Sequence, residues 1–173
     1  NTRLLILNSP HNPTGMVMDE DDIAALSALC AKNDIYLIGD EVYEHMVFDQ
    51  AKHLSLCAYE DLYSRSFVIS SFGKTYHVTG WKVGYCIAPP ALTKEFRRVH
   101  QYVTFTVNTP VQLGIAEFLQ HHPEHHQCLP SFYQAKRDLF CELLKGSRFT
   151  VSPSQGTYFQ LLGFSEISKE NDL

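Results

Sequence analysis

Apolar positions run through this chain in two rhythms. From Arg3 to Asn8 the sequence holds Leu4-Leu5-Ile6-Leu7 and is closed by Ser9-Pro10 and Asn12-Pro13, which reads as a buried strand ending in a tight loop. From Asp19 to Asn33, Ile23, Leu26, Ala28, Leu29 and Cys30 recur at helical spacing behind the acidic run Asp19-Glu20-Asp21-Asp22. Carboxylates suit a helix start, where unpaired N–H groups carry partial positive charge. Ile35-Tyr36-Leu37-Ile38-Gly39 is apolar without alternation, as expected of a strand covered on both faces. Strand, helix and strand in this order predict a parallel sheet.

The same reading predicts strands over Ser66 to Phe72 and Trp81 to Ala88, the second closed by Pro89-Pro90. Ala91 to His122 is helical in two pieces, broken near Asn108-Thr109-Pro110, because proline suits a first turn. Pro130 to Lys145 forms a further helix with Phe132, Leu139, Phe140, Leu143 and Leu144 on its apolar face and Gly146 as its cap. Phe149 to Phe164 reads as strand, turn and strand, turning at Ser152-Pro153-Ser154-Gln155-Gly156. The expected fold is α/β, a mainly parallel sheet with helices on both faces, with a subdomain boundary at Gly146 separating 1–146 from the opening, 147–173, of a smaller α+β domain.

Composition narrows the function. The 173 residues carry 14 Lys and Arg against 19 Asp and Glu, a net charge of −5, with no basic run, which argues against binding nucleic acid through phosphates. No apolar run approaches the ~20 residues of a membrane-spanning helix, and no secretory leader pattern opens the chain. Cys30, Cys57, Cys86, Cys128 and Cys141 are odd in number and widely spaced, as expected of reduced, buried or half-buried thiols in a cytoplasmic protein and not of a zinc motif. The chain starts at Asn1 and enters a strand almost at once, and it reads as a piece of a longer protein.

Four stretches carry candidate chemistry, each placed just after a predicted strand or turn. Ser70-Ser71-Phe72-Gly73-Lys74-Thr75 contains Gly-Lys-Thr, but Val68 stands where a phosphate-binding P-loop needs glycine. It also contains Ser-x-x-Lys at 71–74, without the partner motifs of serine acylases. There remains a lysine in a small-residue turn at a strand end, suited to Schiff-base chemistry or to a plain surface role. Asp40, in Gly39-Asp40-Glu41-Val42-Tyr43, follows a buried strand, where α/β sheets bind ligands; the competing role is a turn cap. Asn12-Pro13-Thr14-Gly15 is stiffer than a generic loop, and Gly80-Trp81-Lys82-Val83-Gly84 places a second lysine eight residues after Lys74.

In this order and rough spacing, Asn-Pro-x-Gly at 12–15, Asp-Glu-Val-Tyr at 40–43, Ser-x-x-Lys at 71–74 and Gly-Trp-Lys-Val-Gly at 80–84 resemble the fold-type I, class I/II aminotransferases, which depend on pyridoxal 5′-phosphate (PLP). Ser71-Phe72-Gly73-Lys74-Thr75-Tyr76-His77 and Thr79-Gly80-Trp81-Lys82 are similar to the bacterial methionine aminotransferases and the kynurenine/glutamine transaminases. The resemblance covers about Leu4 to Phe164. It implies that Lys74 is the catalytic residue, forming the Schiff base with PLP and then shuttling the substrate's proton. It further implies that Asp40 pairs with the pyridine nitrogen, that Asn12 and Tyr43 hydrogen-bond the phenolic oxygen, and that Ser71 and Lys82 hold the phosphate. Many relatives have arginine where Lys82 stands, so bidentate geometry is given up while the charge is kept.

The family's phosphate cup, stacking aromatic and partner-subunit tyrosine would lie upstream of this chain and its carboxylate-gripping arginine downstream, so the fragment alone is expected to be poorly active. The implied substrates are an L-amino acid of methionine, glutamine or aromatic type and a 2-oxo acid, and the implied assembly is a homodimer. The same motifs occur in PLP-dependent C–S β-lyases, and an inactive structural fragment is a further alternative. No metal site is expected: His121-His122-Pro123-Glu124-His125-His126 is broken by Pro123 and reads as a polar helix junction. Phe105 aligns loosely with an aromatic that relatives present to a neighbouring subunit's substrate pocket, with a core position as its alternative. Tyr158, in Gly156-Thr157-Tyr158-Phe159, lies in a stretch resembling the family's entry into the small domain, with simple sheet packing as its alternative, and the role of His77 stays open.

Overall fold

A computed structural model describes residues 1–170. Four strands, β1 (Leu4–Asn8), β2 (Tyr36–Asp40), β3 (Ser66–Ser71) and β4 (Gly84–Ile87), form one sheet in the order β1-β2-β3-β4. The first three are parallel, with Asn8 opposite Asp40 and Asp40 opposite Ile69, and β4 returns antiparallel with Gly84 opposite Ser71. Helix α1 (Glu20–Asn33) starts at Asp19, whose carboxylate accepts the Asp22 N–H at 2.9 Å while the Asp22 carboxylate accepts the Asp19 N–H at 3.1 Å. Two N–H groups with no helical partner are thereby satisfied. The helix ends at Asp34, which takes a left-handed conformation at φ 51°.

One face of the sheet is closed. Ile23, Leu26 and Cys30 of α1 pack with Leu37 and Val68 of the strands and with Leu56 and Leu62, which come from a 3-10 turn (Leu56–Ala58) and the short helix α2 (Glu60–Tyr63). The opposite face carries a helix as expected but is covered only in part. Helix α4 (Pro90–Val103) meets it where Phe96 lies against Phe67, ring centroids 6.3 Å apart, whereas Ile6, 66% exposed, Ile38 and Ile69 form the floor of an open cavity. The unbroken apolar pattern of the strands therefore has two causes, a packed core below and an apolar cavity floor above.

Strand β3 ends one residue earlier than expected, because helix α3 (Phe72–Thr75) begins at Phe72, and β4 starts only at Gly84, since a 3-10 turn (Thr79–Trp81) takes Trp81, the first residue of the stretch read as a strand. The long helical region breaks as expected, into α4 and α5 (Thr109–His121), the latter capped by the Asn108 carboxamide oxygen, which accepts the Val111 N–H. Helix α6 (Leu129–Leu143) follows a 3-10 turn at His125–Cys128. Its cap is Leu144, not Gly146; Gly146 reverses the chain two residues later at φ +76°.

Strands β5 (Thr150–Val151) and β6 (Leu162–Gly163) pair antiparallel, but the link between them is longer than the predicted turn at 152–156. It is long because it docks elsewhere: the Phe48 N–H donates to the Gln155 carbonyl, the Thr157 N–H to the Met46 carbonyl, and the Gln155 N–H to the Gly15 carbonyl. Cys128 is exposed, against the expectation of buried thiols, and Phe105 is 81% exposed at φ 65°, which excludes a core position. Among the described residues no helix is long and apolar enough to cross a membrane.

Candidate active site

Asn8, Asp40 and Ser71 are the last residues of β1, β2 and β3, so three neighbouring parallel strands deliver polar side chains to one edge. The carboxyl ends of parallel strands are where open α/β sheets bind ligands. A cavity of about 610 Å³ opens there, and its lining includes Asn12, Asp40, Tyr43, Ser71 and Lys74 above the isoleucine floor. Five of the six residues singled out from the sequence thus meet in one place. Lys82 does not line it; it is exposed on the turn before β4, at φ 56°, two residues from Gly84, the register partner of Ser71.

Lys74 owes its position to a short, forced change of direction. The Ser71 hydroxyl oxygen accepts the Gly73 N–H at 3.0 Å and donates to the Val83 carbonyl at 3.2 Å, capping α3 and tying it to the turn that enters β4. The single turn of α3 places Lys74 over the cavity. Below it, His125 bonds through Nε2 to the Thr75 carbonyl at 3.0 Å and stacks on Tyr76 with ring centroids 5.4 Å apart. The histidine-rich segment thus serves as a polar junction that buttresses the lysine helix, and His77, exposed at φ 58°, leans edge-on to His125 outside the cavity.

Lys74 is half-buried, and among the described residues its amine has no hydrogen bond or ion pair. Its Nζ instead lies 5.9 Å from the ring centroids of both Tyr43 and Tyr158. Asp40 takes the turn-cap role and also faces the cavity. One carboxylate oxygen caps the turn by accepting the Val42 N–H at 3.2 Å, and the side chain lines the cavity. Asn8 holds this strand end, its Nδ2 donating to the Asp40 carbonyl at 2.9 Å while its Oδ1 accepts the Asn12 N–H at 2.7 Å. The stiff loop places Asn12 beside Asp40 in this way, and the peptides before Pro10 and Pro13 are cis.

The neighbouring Glu41 points away from the cavity. It is buried, accepts the Leu56 N–H at 2.9 Å and pairs with His53 Nε2 at 2.8 Å, a structural use of the second carboxylate of the motif. Tyr43 is also buried, and burial first, then its hydrogen bond to Tyr158, holds its phenol well above the ordinary tyrosine range. Sheet packing, the alternative role for Tyr158, does not describe it: it lies in the β5–β6 link beside Tyr43 and Lys74. Only its place in a stretch resembling the entry to the small domain pointed to it.

The fold and this edge define an α/β protein whose site is built around a lysine at the carboxyl ends of parallel strands. The chain belongs to the aminotransferase class I and II family, whose model matches residues 1–173. It is 51% identical over 172 residues to the methionine aminotransferase of Escherichia coli, and 37% identical over 175 residues to a kynurenine–oxoglutarate transaminase of Dictyostelium discoideum. These alignments take in 99% of this chain but 45% and 40% of the two relatives, so the chain spans about half the length of the curated relatives it matches. Among solved structures it is similar to the Escherichia coli protein YbdL, described as having a methionine aminotransferase function, with a TM-score of 0.94 over 99% of this chain and 45% of that one. It is also similar to Thermus thermophilus aspartate aminotransferase, with a TM-score of 0.87 at 27% identity, covering 97% of this chain and 44% of that one.

Proposed function

We propose that this chain is the lysine-bearing part of a PLP-dependent aminotransferase, one that moves an amino group from an L-amino acid to a 2-oxo acid in two half-reactions. The observation that carries the reading is a lysine amine free of carboxylate partners among the described residues, in the same cavity as Asp40, Asn12, Tyr43 and Ser71. These residues fit the cofactor: the Lys74 amine is held by no carboxylate among the described residues and sits between the Tyr43 and Tyr158 rings at the cavity, open to an aldehyde placed there. When bound, PLP supplies an aldehyde for the lysine and a pyridinium ring that takes up the electron pair left by the substrate's α-proton.

The chain's own residues do the rest. Lys74 tethers the cofactor and, once released, its Nζ carries the α-proton as a general base. Asp40, fixed by the Val42 N–H, keeps a proton on the pyridine nitrogen. Tyr43 and the Asn12 carboxamide would donate to the phenolic oxygen, and Ile6, Ile38 and Ile69 would give the ring an apolar floor, all of them lining the cavity. The Ser71 hydroxyl, which donates to the Val83 carbonyl here, would hold the phosphate, and Lys82 would add charge from the adjoining turn.

The 51% identity to a methionine aminotransferase supports an amino donor of methionine, glutamine or aromatic type. A homodimeric, cytoplasmic parent completes the proposal. Exposed Val99, Tyr102, Val103 and Phe105 support assembly, and the five widely spaced cysteines support a reducing setting. The test is to add PLP to the purified full-length protein, look for a visible absorption band, reduce with borohydride and locate the label by peptide mass spectrometry. Label on Lys74, with methionine and a 2-oxo acid consumed in step, supports the proposal. Label on another lysine refutes the assignment, and thiol release without 2-oxo acid consumption would make the protein a β-lyase instead.

A further inference from the structure

The link between β5 and β6 is built more tightly than a connection between two short strands requires. Gly156 bridges to Val47, and a Cβ there would come within 2.8 Å of the Met46 carbonyl oxygen and 3.0 Å of the Pro10 side chain. Thr157 is buried at φ 67°, a conformation that costs a β-branched residue energy and persists only where its surroundings impose it. Its backbone N–H donates to the Met46 carbonyl at 2.8 Å, and its hydroxyl oxygen accepts the Phe159 N–H at 3.1 Å. Arg137 donates to the Ser154 carbonyl at 2.7 Å from the α6 side. Every one of these contacts fixes the residue that comes between them, Tyr158.

Tyr158 is thereby set with its ring edge-on to Tyr43, centroids 5.3 Å apart at 89°, and against Tyr133 at 5.8 Å. The Tyr43 hydroxyl donates to the Tyr158 hydroxyl over 3.5 Å, and Lys74 Nζ is equidistant from the two rings at 5.9 Å. We propose that Tyr158 is a positioning residue of the lysine site: its ring forms the second wall that aims Lys74, and its hydroxyl competes for the Tyr43 proton. The inference rests on the PLP reading above. Tyr43 has one hydroxyl proton to give. While it is shared with Tyr158, less of it reaches the cofactor's phenolic oxygen, so removing the Tyr158 hydroxyl strengthens Tyr43 as a donor there and favours the deprotonated form of the lysine adduct.

The test compares wild type, Tyr158→Phe, Tyr43→Phe and the double variant of the full-length protein, loaded with PLP. The readouts are the pH midpoint of the visible band and the borohydride label on Lys74. In Tyr158→Phe, Lys74 is labelled as in wild type, and the midpoint falls by about half a pH unit, the scale of a long, weak hydrogen bond. In the Tyr43→Phe background the Tyr158→Phe change moves the midpoint no further, since the shared proton is gone. Tyr158→Ala, which removes the ring as well, slows labelling of Lys74 severalfold while Tyr158→Phe does not. An unmoved midpoint in Tyr158→Phe with Lys74 still labelled overturns the proposal and leaves the PLP reading standing. A shift of equal size with and without Tyr43 also overturns it. If Lys74 of the wild-type protein takes no label, the PLP reading fails and the role of Tyr158 falls with it.

Discussion

Arg137 holds together parts of the chain that are far apart in sequence. It is 8% exposed and donates through Nη2 to Asp49 Oδ1 at 2.9 Å, through Nη1 to Asp49 Oδ2 and the Ser154 carbonyl, and through Nε to Asp138 Oδ1 at 2.9 Å, with its guanidinium over the Phe48 ring. In Arg137→Met the stem volume is retained while the fork is lost. The Ser154 carbonyl then loses a charged donor inside the protein, which costs about 1–3 kcal/mol. Asp49 returns to water, because its side chain is 55% exposed, so the lost pair adds only about 1 kcal/mol. The expected destabilisation at pH 7 is about 3 kcal/mol, read as a lower urea midpoint at unchanged slope. The Arg137 hydrogen bond holds the Asp49 carboxyl below its usual value, so Asp49's share of the stability is present above that usual value and disappears as pH falls through the lowered one. The gap between wild type and Arg137→Met should therefore narrow between pH 5 and pH 3. A gap under about 0.5 kcal/mol at pH 7 would remove the clamp from the account, and a gap constant across that pH range would remove Asp49 from it.

Gly15→Ala should be costlier than its size suggests. At φ +71° the new Cβ would overlap the Ser154 Cβ and meet the Gly156 carbonyl oxygen at 2.9 Å, so a loss of more than about 2 kcal/mol is expected, together with weaker PLP binding by absorbance titration as the Tyr158 segment is displaced. Glu41→Ala leaves His53 and the Leu56 N–H without their partner in the interior and should cost about 3–5 kcal/mol in thermal or urea unfolding, with Glu41→Gln costing less. Asp40→Ala should still accept the borohydride label at Lys74 yet lose turnover by several orders of magnitude, because the pyridine nitrogen loses its anion; retained turnover at near wild-type rate would exclude Asp40 from that role.

Legibility in the sequence divides along physical lines. The α1 start was readable because its capping carboxylate lies three residues from its target N–H, and β1 to β3 were readable because each is a short apolar run closed by turn residues. Local signals of this kind also singled out Asp40 and Lys74, whereas Asn12, Tyr43 and Ser71 came from the motif resemblance; all five lie within a few residues of a strand end and line one cavity. The misread features were set by contacts across long stretches of chain. Phe149 to Phe164 looked like a plain hairpin because nothing in its own residues reveals that Ser154 is held by Arg137, or that Gln155 and Thr157 pair with Gly15, Phe48 and Met46. The one local trace was the conflict at Thr157, a β-branched residue in the left-handed region, and such a conflict becomes visible only once backbone angles are known. Tyr158 shows the consequence: it meets Tyr43 from 115 residues away in sequence, so its own stretch left sheet packing open beside the family resemblance, whereas the strained backbone before it holds it against the lysine.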